Sequence, residues 1–331
     1  MPILGFLGDV MLGRGVDIEL RRRPPESLWG TVGPVLRSAD TVFANLECAI
    51  TSHIQEWRQT PKVFHFRASP AAIDVLRAGN IGCVSLANNH TLDFEVEGLL
   101  DTLRLLDQAG IAHAGAGRNL AEAQQPALVD VAGLRVALVS ATDNEPPFTA
   151  TPNRPGTWYM EISYDPDVPR SLAAAAEAAR NSGARLVVLS VHWGPNMISQ
   201  PTATFRRFAG QAMEFADLLH GHSAHVFQGV ETRPGRLILY DTGDFLDDYA
   251  VDPELRNDWS FVFLVDVSLL GRPERLRLFP VRLDYAQVNL AVGEERDEIC
   301  DCMVARSAPL GVKYQRRKWG LELVLNGAAT S

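Results

Sequence analysis

Short apolar runs of strand length alternate with amphipathic segments along most of the chain. An apolar run of four to eight residues is typical of a buried strand, and apolar residues at helical spacing are typical of a surface helix. The pattern predicts strands at residues 3–8, 41–46, 81–87, 134–141 and 185–191. It predicts helices at residues 28–37, 70–78, 95–109, 172–181 and 203–215.

The pattern changes from about Arg236 onward. Strand-like segments at residues 237–240, 260–267 and 276–284 follow one another there, and no long helix is predicted in this tail. An alternation of helices and strands, followed by a run of strands, predicts helices on the outside of two packed, mixed sheets. Residues 144–157 are rich in Pro, Asn and Thr and are expected to form a surface loop, either a connector or a ligand contact.

Five of the apolar runs end in residues of metal-binding type. In chain order, these residues are Asp9, Glu47, the run Asn88-Asn89-His90, His192, and the trio His220, His222 and His225. Ligand sites in open α/β sheets lie outside the carboxyl ends of the strands, so these side chains are expected to converge. Their convergence predicts a metal-dependent hydrolytic centre.

Each of these residues alone also fits an ordinary structural role. Asp9 suits a helix or turn cap, and His192 suits a hydrogen-bonded core histidine. Glu47 is harder to explain in this way, because the preceding strand is almost wholly apolar and a bare buried carboxylate is very costly. His220 is interpreted as a histidine hydrogen-bonded within its short strand, and it is left out of the ligand set.

The set of donor groups indicates the kind of metal. Two carboxylates with several imidazoles suit Mn²⁺, Fe²⁺ or Zn²⁺ better than Ca²⁺. The set contains no thiolate, which argues against a closed structural zinc site. An open site that activates water is the natural use of such donors. The sequence therefore predicts one or two divalent ions of the Mn, Fe or Zn class.

The composition limits the classes of binding partner and the cellular compartment expected for this protein. The chain of 331 residues carries 31 Lys and Arg against 40 Asp and Glu, a formal charge of −9. No basic run is longer than the three residues Arg21–Arg23, whereas nucleic acids and anionic membranes require a concentrated positive surface. The first residues do not resemble a signal peptide, and no apolar run approaches the roughly 18 residues of a spanning helix. We expect four reduced cysteines, a cytoplasmic location, and no nucleic-acid partner or membrane insertion.

Six short motifs carry a family resemblance. They are Gly8-Asp9-Val10-Met11, Asn45-Leu46-Glu47, Ala87-Asn88-Asn89-His90-Thr91-Leu92-Asp93, Val191-His192-Trp193-Gly194, Gly221-His222-Ser223-Ala224-His225 and Gly243-Asp244-Phe245. From about Ile3 to Tyr249 the chain resembles the bacterial capsule-synthesis (CapA-type) family of poly-γ-glutamate proteins, a branch of the calcineurin-like metallophosphoesterases. The resemblance implies a four-layer α/β/β/α sandwich with two mixed sheets. We expect residues 1–290 to form this catalytic domain and residues 291–331 a C-terminal extension packed on it.

The resemblance also implies a role for each strand-end residue. Asp9 and His225 would bind a first metal, and Glu47 would bridge two metals. A second metal would be held by Asn89, His192 and His222. His90 would lie beside the substrate as a general acid or a charge stabiliser.

Three further residues complete the predicted site. Asp93 is expected to orient the His90 ring, because it lies three residues further along the chain. Arg14 is expected to bind a substrate carboxylate or phosphate, since a guanidinium fork matches either group. A surface ion pair is the alternative for Arg14. Asp244 is also expected to contact the substrate.

The chain departs from the parent superfamily in ways that bear on activity. Met11 replaces the histidine of the first Asp-x-His motif, Glu47 stands where an Asp is usual, and the last motif is His-x-x-His. The lost imidazole allows one tight and one weak metal, in which case Met11→His is expected to raise metal affinity.

The leading interpretation is a hydrolase whose metal-activated water attacks a phosphoester or γ-glutamyl-type amide in a small-molecule or polymer substrate. The alternative is a non-catalytic component of a capsule or polymer assembly with a structural or vestigial metal site.

Overall fold

Two mixed β-sheets form the centre of the computed structural model, which describes residues 1–162 and 169–325. The strands are β1 Ile3–Val10, β2 Thr41–Leu46, β3 Ala49–Ile50, β4 Arg67–Ala68, β5 Ile81–Ser85, β6 Ala112–Ala114, β7 Ala116–Gly117, β8 Ala127–Val131, β9 Leu134–Thr142, β10 Gly156–Thr157, β11 Leu186–His192, β12 Leu218–His222, β13 Val230–Arg233, β14 Arg236–Leu239, β15 Asp244–Leu246, β16 Trp259–Val267, β17 Pro273–Asp284, β18 Gln287–Leu290, β19 Gln315–Arg317 and β20 Gly320–Val324. The α-helices are α1 Arg14–Leu20, α2 Gly33–Leu36, α3 Ala72–Ala78, α4 Glu95–Ala109, α5 Leu120–Ala123, α6 Arg170–Asn181, α7 Ala203–Ala212 and α8 Gly293–Ser307. Short 3₁₀ helices span Pro25–Val32, Pro146–Phe148 and Ala308–Leu310.

The strand order of each sheet combines parallel and antiparallel neighbours. The first sheet has the order β19-β20-β17-β16-β1-β2-β5-β6, with β15 against β1 and β18 against β17. The second sheet has the order β13-β14-β12-β11-β9-β8. Strands β1, β2, β5 and β6 are parallel to their neighbours in that series, as are β9, β11, β12 and β14, so each sheet has a parallel central block.

Alternation along the central strands creates the layers. In β1, Phe6 faces the core between the sheets and Leu7 faces the opposite core, which also contains residues of α3 and α4. In β11, Val188 faces the core between the sheets and Leu189 the core that contains residues of α6 and α7. Successive strand residues point to opposite faces, so apolar residues on both faces require a cover on both sides. The predicted four-layer α/β/β/α sandwich with two mixed sheets is confirmed.

The structure corrects several predicted elements. The helix predicted at residues 28–37 is a 3₁₀ helix followed by α2, with a kink at Gly30 where φ is +37°. The prediction that the tail has no long helix is wrong, because α8 spans 15 residues. Its buried apolar residues, Ile299 and Met303 among them, are few and surrounded by charged residues, so its helical periodicity is weak.

The C-terminal residues continue the first sheet. Strand β20 pairs with β17 in antiparallel register, and α8 contacts both strands. No helix within the described residues is long and apolar enough to cross a membrane.

Candidate metal centre

The predicted ligands lie at the carboxyl ends of neighbouring strands in both sheets. Asp9 is the penultimate residue of β1, and Glu47 directly follows β2. His192 and His222 end β11 and β12 and are partners in the parallel register. All four are at most 1% exposed. The edges of the two sheets thus contribute carboxylates from one side and imidazoles from the other.

Two overlapping groups of ligand atoms result. Asp9, His192 and His222 form one group, and Asp9, Glu47, His225 and Asp244 form the other. Within each group the ligand atoms lie within 4.8 Å of one another. Asp9 belongs to both groups, which is the arrangement expected of a residue shared by two adjacent cation sites.

The distances from Asp9 and Glu47 to the imidazoles exceed those of hydrogen bonds. Asp9 Oδ1 lies 3.8 Å from His222 Nδ1 and 3.9 Å from His192 Nδ1, and Asp9 Oδ2 lies 3.6 Å from His225 Nδ1. Glu47 Oε1 is 3.9 Å from His192 Nε2. Asp9 and Glu47 therefore face these imidazoles across a gap, whereas His192 Nδ1 lies 3.0 Å from His222 Nδ1 and His225 Nδ1 lies 2.8 Å from Asp244 Oδ1.

Several oxygen atoms in this region have no hydrogen-bond partner. Asp9 Oδ2, Glu47 Oε1, Asn89 Oδ1 and Asp244 Oδ2 are all buried and unpartnered. Burial raises the pKa of Asp9 to about 7 and the pKa of Glu47 well above its usual value. A buried carboxylate without a partner is costly, and a cation removes that cost. Orphaned oxygens together with imidazoles therefore fit a divalent metal.

Amide and phenol groups hold the carboxylates in place. Asn45 Nδ2 donates to Asp9 Oδ1 at 2.7 Å, and Asn88 Nδ2 donates to Asn45 Oδ1 at 3.0 Å. Tyr249 donates its hydroxyl to Glu47 Oε2 at 3.2 Å. Sequence analysis gave Asn45 no role and included Asn88 only in the run Asn88-Asn89-His90 of possible metal-binding residues. Asn45 and Tyr249 each hold one oxygen of a carboxylate, and the other oxygen of that carboxylate remains free for a ligand.

One buried carboxylate fixes the loops that carry His225 and Asp244. Asp241 Oδ2 accepts a hydrogen bond from Ala224 N at 2.9 Å, and Asp241 Oδ1 accepts one from Gly243 N at 2.8 Å. The loop conformation is unusual, since φ of His225 is +60°. Asp241 was missed by sequence analysis because nothing local indicates that it bridges two loops.

Close backbone contact joins these loops to the strands. A Cβ atom at Gly8 would lie 1.7 Å from the carbonyl oxygen of Gly243, and one at Gly221 would lie 1.9 Å from that of Tyr240. Only glycine permits such approaches. His220 is buried, and its Nε2 hydrogen-bonds Leu7 O of β1 in the other sheet at 2.8 Å, so its partner does not lie within its own strand as predicted.

A cavity of about 590 Å³ opens beside the ligand groups. Its lining includes Asn89, His90, His225, Arg14, Lys62 and Glu145. Asn89 thus combines an unpartnered side-chain oxygen with a position on the cavity wall. Glu145 belongs to the loop at residues 144–157, so this loop contributes to the cavity.

His90 is held in one orientation at the cavity. Its Nδ1 atom lies 2.5 Å from Asp93 Oδ2, and its ring stacks on Phe66 with 4.0 Å between centroids. Asp93 Oδ2 also accepts a hydrogen bond from Phe66 N at 2.7 Å. Burial and the nearby Lys62 lower the pKa of His90 well below its usual value, so the neutral ring is favoured. Its Nε2 atom is the ring nitrogen left for other contacts.

Two cations line the cavity, and each has acidic partners. Arg14 forms a bidentate ion pair with Asp248 and lies over the rings of Phe66 and Tyr249, 5.0 and 5.4 Å from their centroids. The ion pair that was the alternative for Arg14 is therefore present, on a residue that also faces the cavity.

Lys62 was not identified by sequence analysis. Its Nζ donates to Asn89 O at 2.7 Å and lies 3.2 Å from Glu145 Oε2 and 3.5 Å from Asp93 Oδ1. No pattern marks it, since it lies in an irregular segment between β3 and β4.

Asp244 is placed differently from its prediction as a substrate contact. It is completely buried, and its Oδ1 atom lies 2.8 Å from His225 Nδ1. It belongs to the second ligand group and is not part of the cavity lining. This position does not fit a direct contact with substrate.

Comparison with known proteins identifies the family. The family model described as bacterial capsule synthesis protein PGA_cap matches residues 3–249, which confirms the resemblance of the motifs. A "PGA biosynthesis protein CapA" of Bacillus subtilis is 30% identical over 246 residues, covering 73% of this chain and 62% of that protein. A "probable polyglutamine synthesis accessory protein" of Mycobacterium tuberculosis is 29% identical over 94% of this chain and 92% of its own length.

Solved structures share the fold at low sequence identity. A structure described as a novel phosphatase from Mycoplasma pneumoniae superposes with a TM-score of 0.52 at 11% identity, covering 85% of this chain and 93% of that one. A hypothetical protein from Thermus thermophilus gives a TM-score of 0.51 at 15% identity, with 84% and 98% coverage. At these identities the likeness shows the fold alone.

Proposed function

Because the chain belongs to the bacterial capsule synthesis protein family PGA_cap, and because its orphaned carboxylates meet imidazoles beside a cavity, we propose that it is a metal-dependent hydrolase. The proposed substrates are phosphoesters or γ-glutamyl-type amides, in a small molecule or a polymer. The buried oxygen atoms of Asp9, Glu47 and Asn89 without partners are the observation that carries the proposal, since the proposed ions would satisfy them. The chain spans 62% of the length of the Bacillus subtilis relative. The name of that relative refers to the whole protein, and the match covers only part of it.

The proposed ligands divide between two ions. The full set is Asp9, Glu47, Asn89, His192, His222 and His225. Carboxylate, amide and imidazole donors suit Mn, Fe or Zn ions, and a bound ion of this kind lowers the pKa of water from 15.7 to about 7. Residues 1–290 would form the catalytic domain, with residues 291–331 as an extension packed on it.

His90 is proposed to handle a proton or developing charge on the substrate. Its Nδ1 is committed to Asp93, so its Nε2 is the atom available in the cavity. Asp93 acts through His90 and is therefore proposed as a positioning residue. Arg14 is proposed to contact a substrate carboxylate or phosphate from the cavity wall, with Asp248 and two aromatic rings fixing the guanidinium.

A second candidate is a non-catalytic role in capsule or polymer assembly. Two observations favour it: the Mycobacterium tuberculosis relative is named an accessory protein, and Met11 replaces a histidine of the parent superfamily. The metal site would then support the fold or be vestigial. The two candidates differ in whether a loaded protein turns over any substrate.

The test uses purified protein freed of metal with a chelator and then reloaded with Mn²⁺. Hydrolysis of a chromogenic phosphodiester and of a chromogenic γ-glutamyl anilide is measured alongside metal content. We expect Mn²⁺-dependent hydrolysis of at least one, and loss of both metal and hydrolysis in His192→Ala. His113→Ala, which changes a histidine outside the cavity lining, is the matched control and should behave as wild type. Stoichiometric metal with no turnover of either class would favour the accessory role.

A further inference from the structure

We infer that Asp244 is the metal ligand that takes the place of the imidazole missing at Met11. This inference rests on the proposed metal centre and concerns its composition. It assigns a ligand that the parent motif lacks, and it replaces the expectation that Asp244 contacts substrate.

Met11 is unsuited to the missing role. Its side chain is fully buried, and its sulfur accepts a hydrogen bond from Gly13 N at 3.0 Å. A thioether is a soft donor, whereas the carboxylates around Asp9 favour harder ions. The first metal therefore needs another ligand, or its coordination shell lacks one.

The sheet register brings Asp244 to this position. Strand β15 runs parallel to β1, and Asp244 is the partner of Asp9 in their register. The backbone of Gly243 lies against Gly8, and Asp9 N donates to Gly243 O at 2.9 Å. Asp244 is thus fixed beside Asp9 by backbone contacts, and its carboxylate completes a four-residue group with Glu47 and His225.

The competing role for Asp244 is to orient His225 through the 2.8 Å contact with its Nδ1. Two observations favour a ligand. First, Asp244 Oδ2 is buried without a hydrogen-bond partner in the same group as Asp9 and Glu47, whereas the free oxygen of the orienting Asp93 lies 3.5 Å from Lys62 Nζ. The nearby amide of Asn257 donates to Ala250 O and also lies within reach of Asp244. Second, His225 Nδ1 also faces Asp9 Oδ2 at 3.6 Å, so this nitrogen points into the carboxylate group.

Metal content separates the two roles without relying on turnover. Mn²⁺ binding is measured by titration and elemental analysis for wild type, Asp244→Asn and Met11→His. The control is Asp247→Asn, which removes another buried carboxylate with an unpartnered oxygen outside both ligand groups. We expect Asp244→Asn to weaken one of two ions by more than about 100-fold and spare the other. Losing only an orienting partner typically costs about 10–100-fold. Asp247→Asn should retain both ions, and Met11→His should change Mn²⁺ affinity by less than about 10-fold.

Wild-type crystals grown with Mn²⁺ provide a second test that does not depend on the variants folding. An anomalous peak bonded to the Asp244 carboxylate, together with Asp9, Glu47 or His225, supports the assignment. A peak that contacts those residues but not Asp244, retention of both ions by Asp244→Asn, or equal loss of both ions overturns it. Failure of the hydrolase proposal looks different, because metal would then bind through Asp244 without any turnover.

Discussion

Buried carboxylates at the two ends of strand β12 have different kinds of partners. Asp217 precedes the strand, and its Oδ2 atom accepts hydrogen bonds from Val187 N at 2.8 Å and from Arg180 Nη2 at 2.8 Å. Arg236 forms a second ion pair with the same carboxylate. This end of the sheet thus supplies protein cations for its buried anion.

The other end, at His222, has no Lys or Arg in this role among the described residues. Its charged partner is His225, whose pKa is raised well above its usual value because Asp244, Glu47 and Asp9 together outweigh the effect of burial. Asp9, Glu47 and Asp244 are equally buried, yet within the described residues their ion-pair partners are histidines and never Lys or Arg. Each of the three also retains an oxygen without a hydrogen bond. Because one imidazolium would not offset three ionised carboxylates and uncompensated buried charge is costly, the comparison supports the proposed divalent cation at this end.

Cavity size alone would select the wrong end. A cavity of about 1020 Å³ lies beside Asp217, against about 590 Å³ beside the ligand groups. The larger cavity adjoins a carboxylate that is already paired. The proposed site therefore rests on unsatisfied buried groups and not on cavity volume.

Asp93 is an intermediate case inside the candidate site. Burial raises its pKa to about 7, and the neighbouring Lys62 acts in the opposite direction. Its Oδ2 atom lies 2.5 Å from His90 Nδ1 and accepts a hydrogen bond from Phe66 N, whereas its Oδ1 atom accepts no hydrogen bond but lies 3.5 Å from the cationic Lys62 Nζ. This distinguishes a positioning carboxylate from the ligand carboxylates.

The largest expected effect tests that distinction. His90→Asn should keep the metal and lower turnover by about 10²–10⁴, the usual value of positioned acid–base help. Turnover and metal content are measured on the same samples, with His192→Ala as the variant expected to lose both. If His90→Asn loses metal as completely as His192→Ala, then His90 is itself a metal ligand. Asp93 would then orient a ligand and not a catalytic group.

The next effect concerns stability at the His222 end. Saturation with Mn²⁺ at about 1,000 times Kd should raise the free energy of unfolding by about 4 kcal/mol per site, because only the folded protein holds the assembled ligands. Urea unfolding with chelator and with Mn²⁺ measures the increment. Asp217→Asn should show the same increment, since its site is separate. An equal increment in His192→Ala would mean that Mn²⁺ stabilises the protein elsewhere.

The position of the candidate site and the overall fold were largely predictable from the sequence. Apolar strands ending in Asp9, Glu47, His192 and His222 indicated one edge, because parallel strands deliver their carboxyl ends together. Two mixed sheets followed from the order of elements. Helix α8 was missed because its apolar face is narrow.

The unpredicted parts depend on contacts between distant segments. The Tyr249 hydroxyl meets Glu47 across 202 residues of chain, and Lys62 reaches Asn89 from an irregular segment. The position of Asp244 depends on its register with Asp9, which no local pattern encodes. Periodicity predicts which face a residue occupies but not its partner on another element.

A smaller effect is expected at the paired end. Asp217→Asn should lower the free energy of unfolding by about 2 kcal/mol, because it leaves Arg180 and Arg236 without their partner. The partial exposure of both arginines keeps the loss below the value for a fully buried pair. The loss should be the same with chelator and with Mn²⁺. Urea unfolding of Asp74→Asn, an exposed carboxylate, provides a control with little expected change.

The smallest effect has the opposite sign and tests the comparison most directly. Burial raises the pKa of Glu47 well above its usual value, which means that the ionised form is disfavoured in the metal-free protein. Glu47→Gln removes that charge while keeping an oxygen to accept the Tyr249 hydroxyl. In chelator, the variant should therefore be as stable as wild type or more stable by about 1 kcal/mol. In Mn²⁺ it should lose much of the stabilisation seen in wild type, because Glu47 no longer offers a carboxylate. Urea unfolding under both conditions gives the two values, and a metal-free loss as large as that of Asp217→Asn would show that the protein itself already compensates the charge of Glu47.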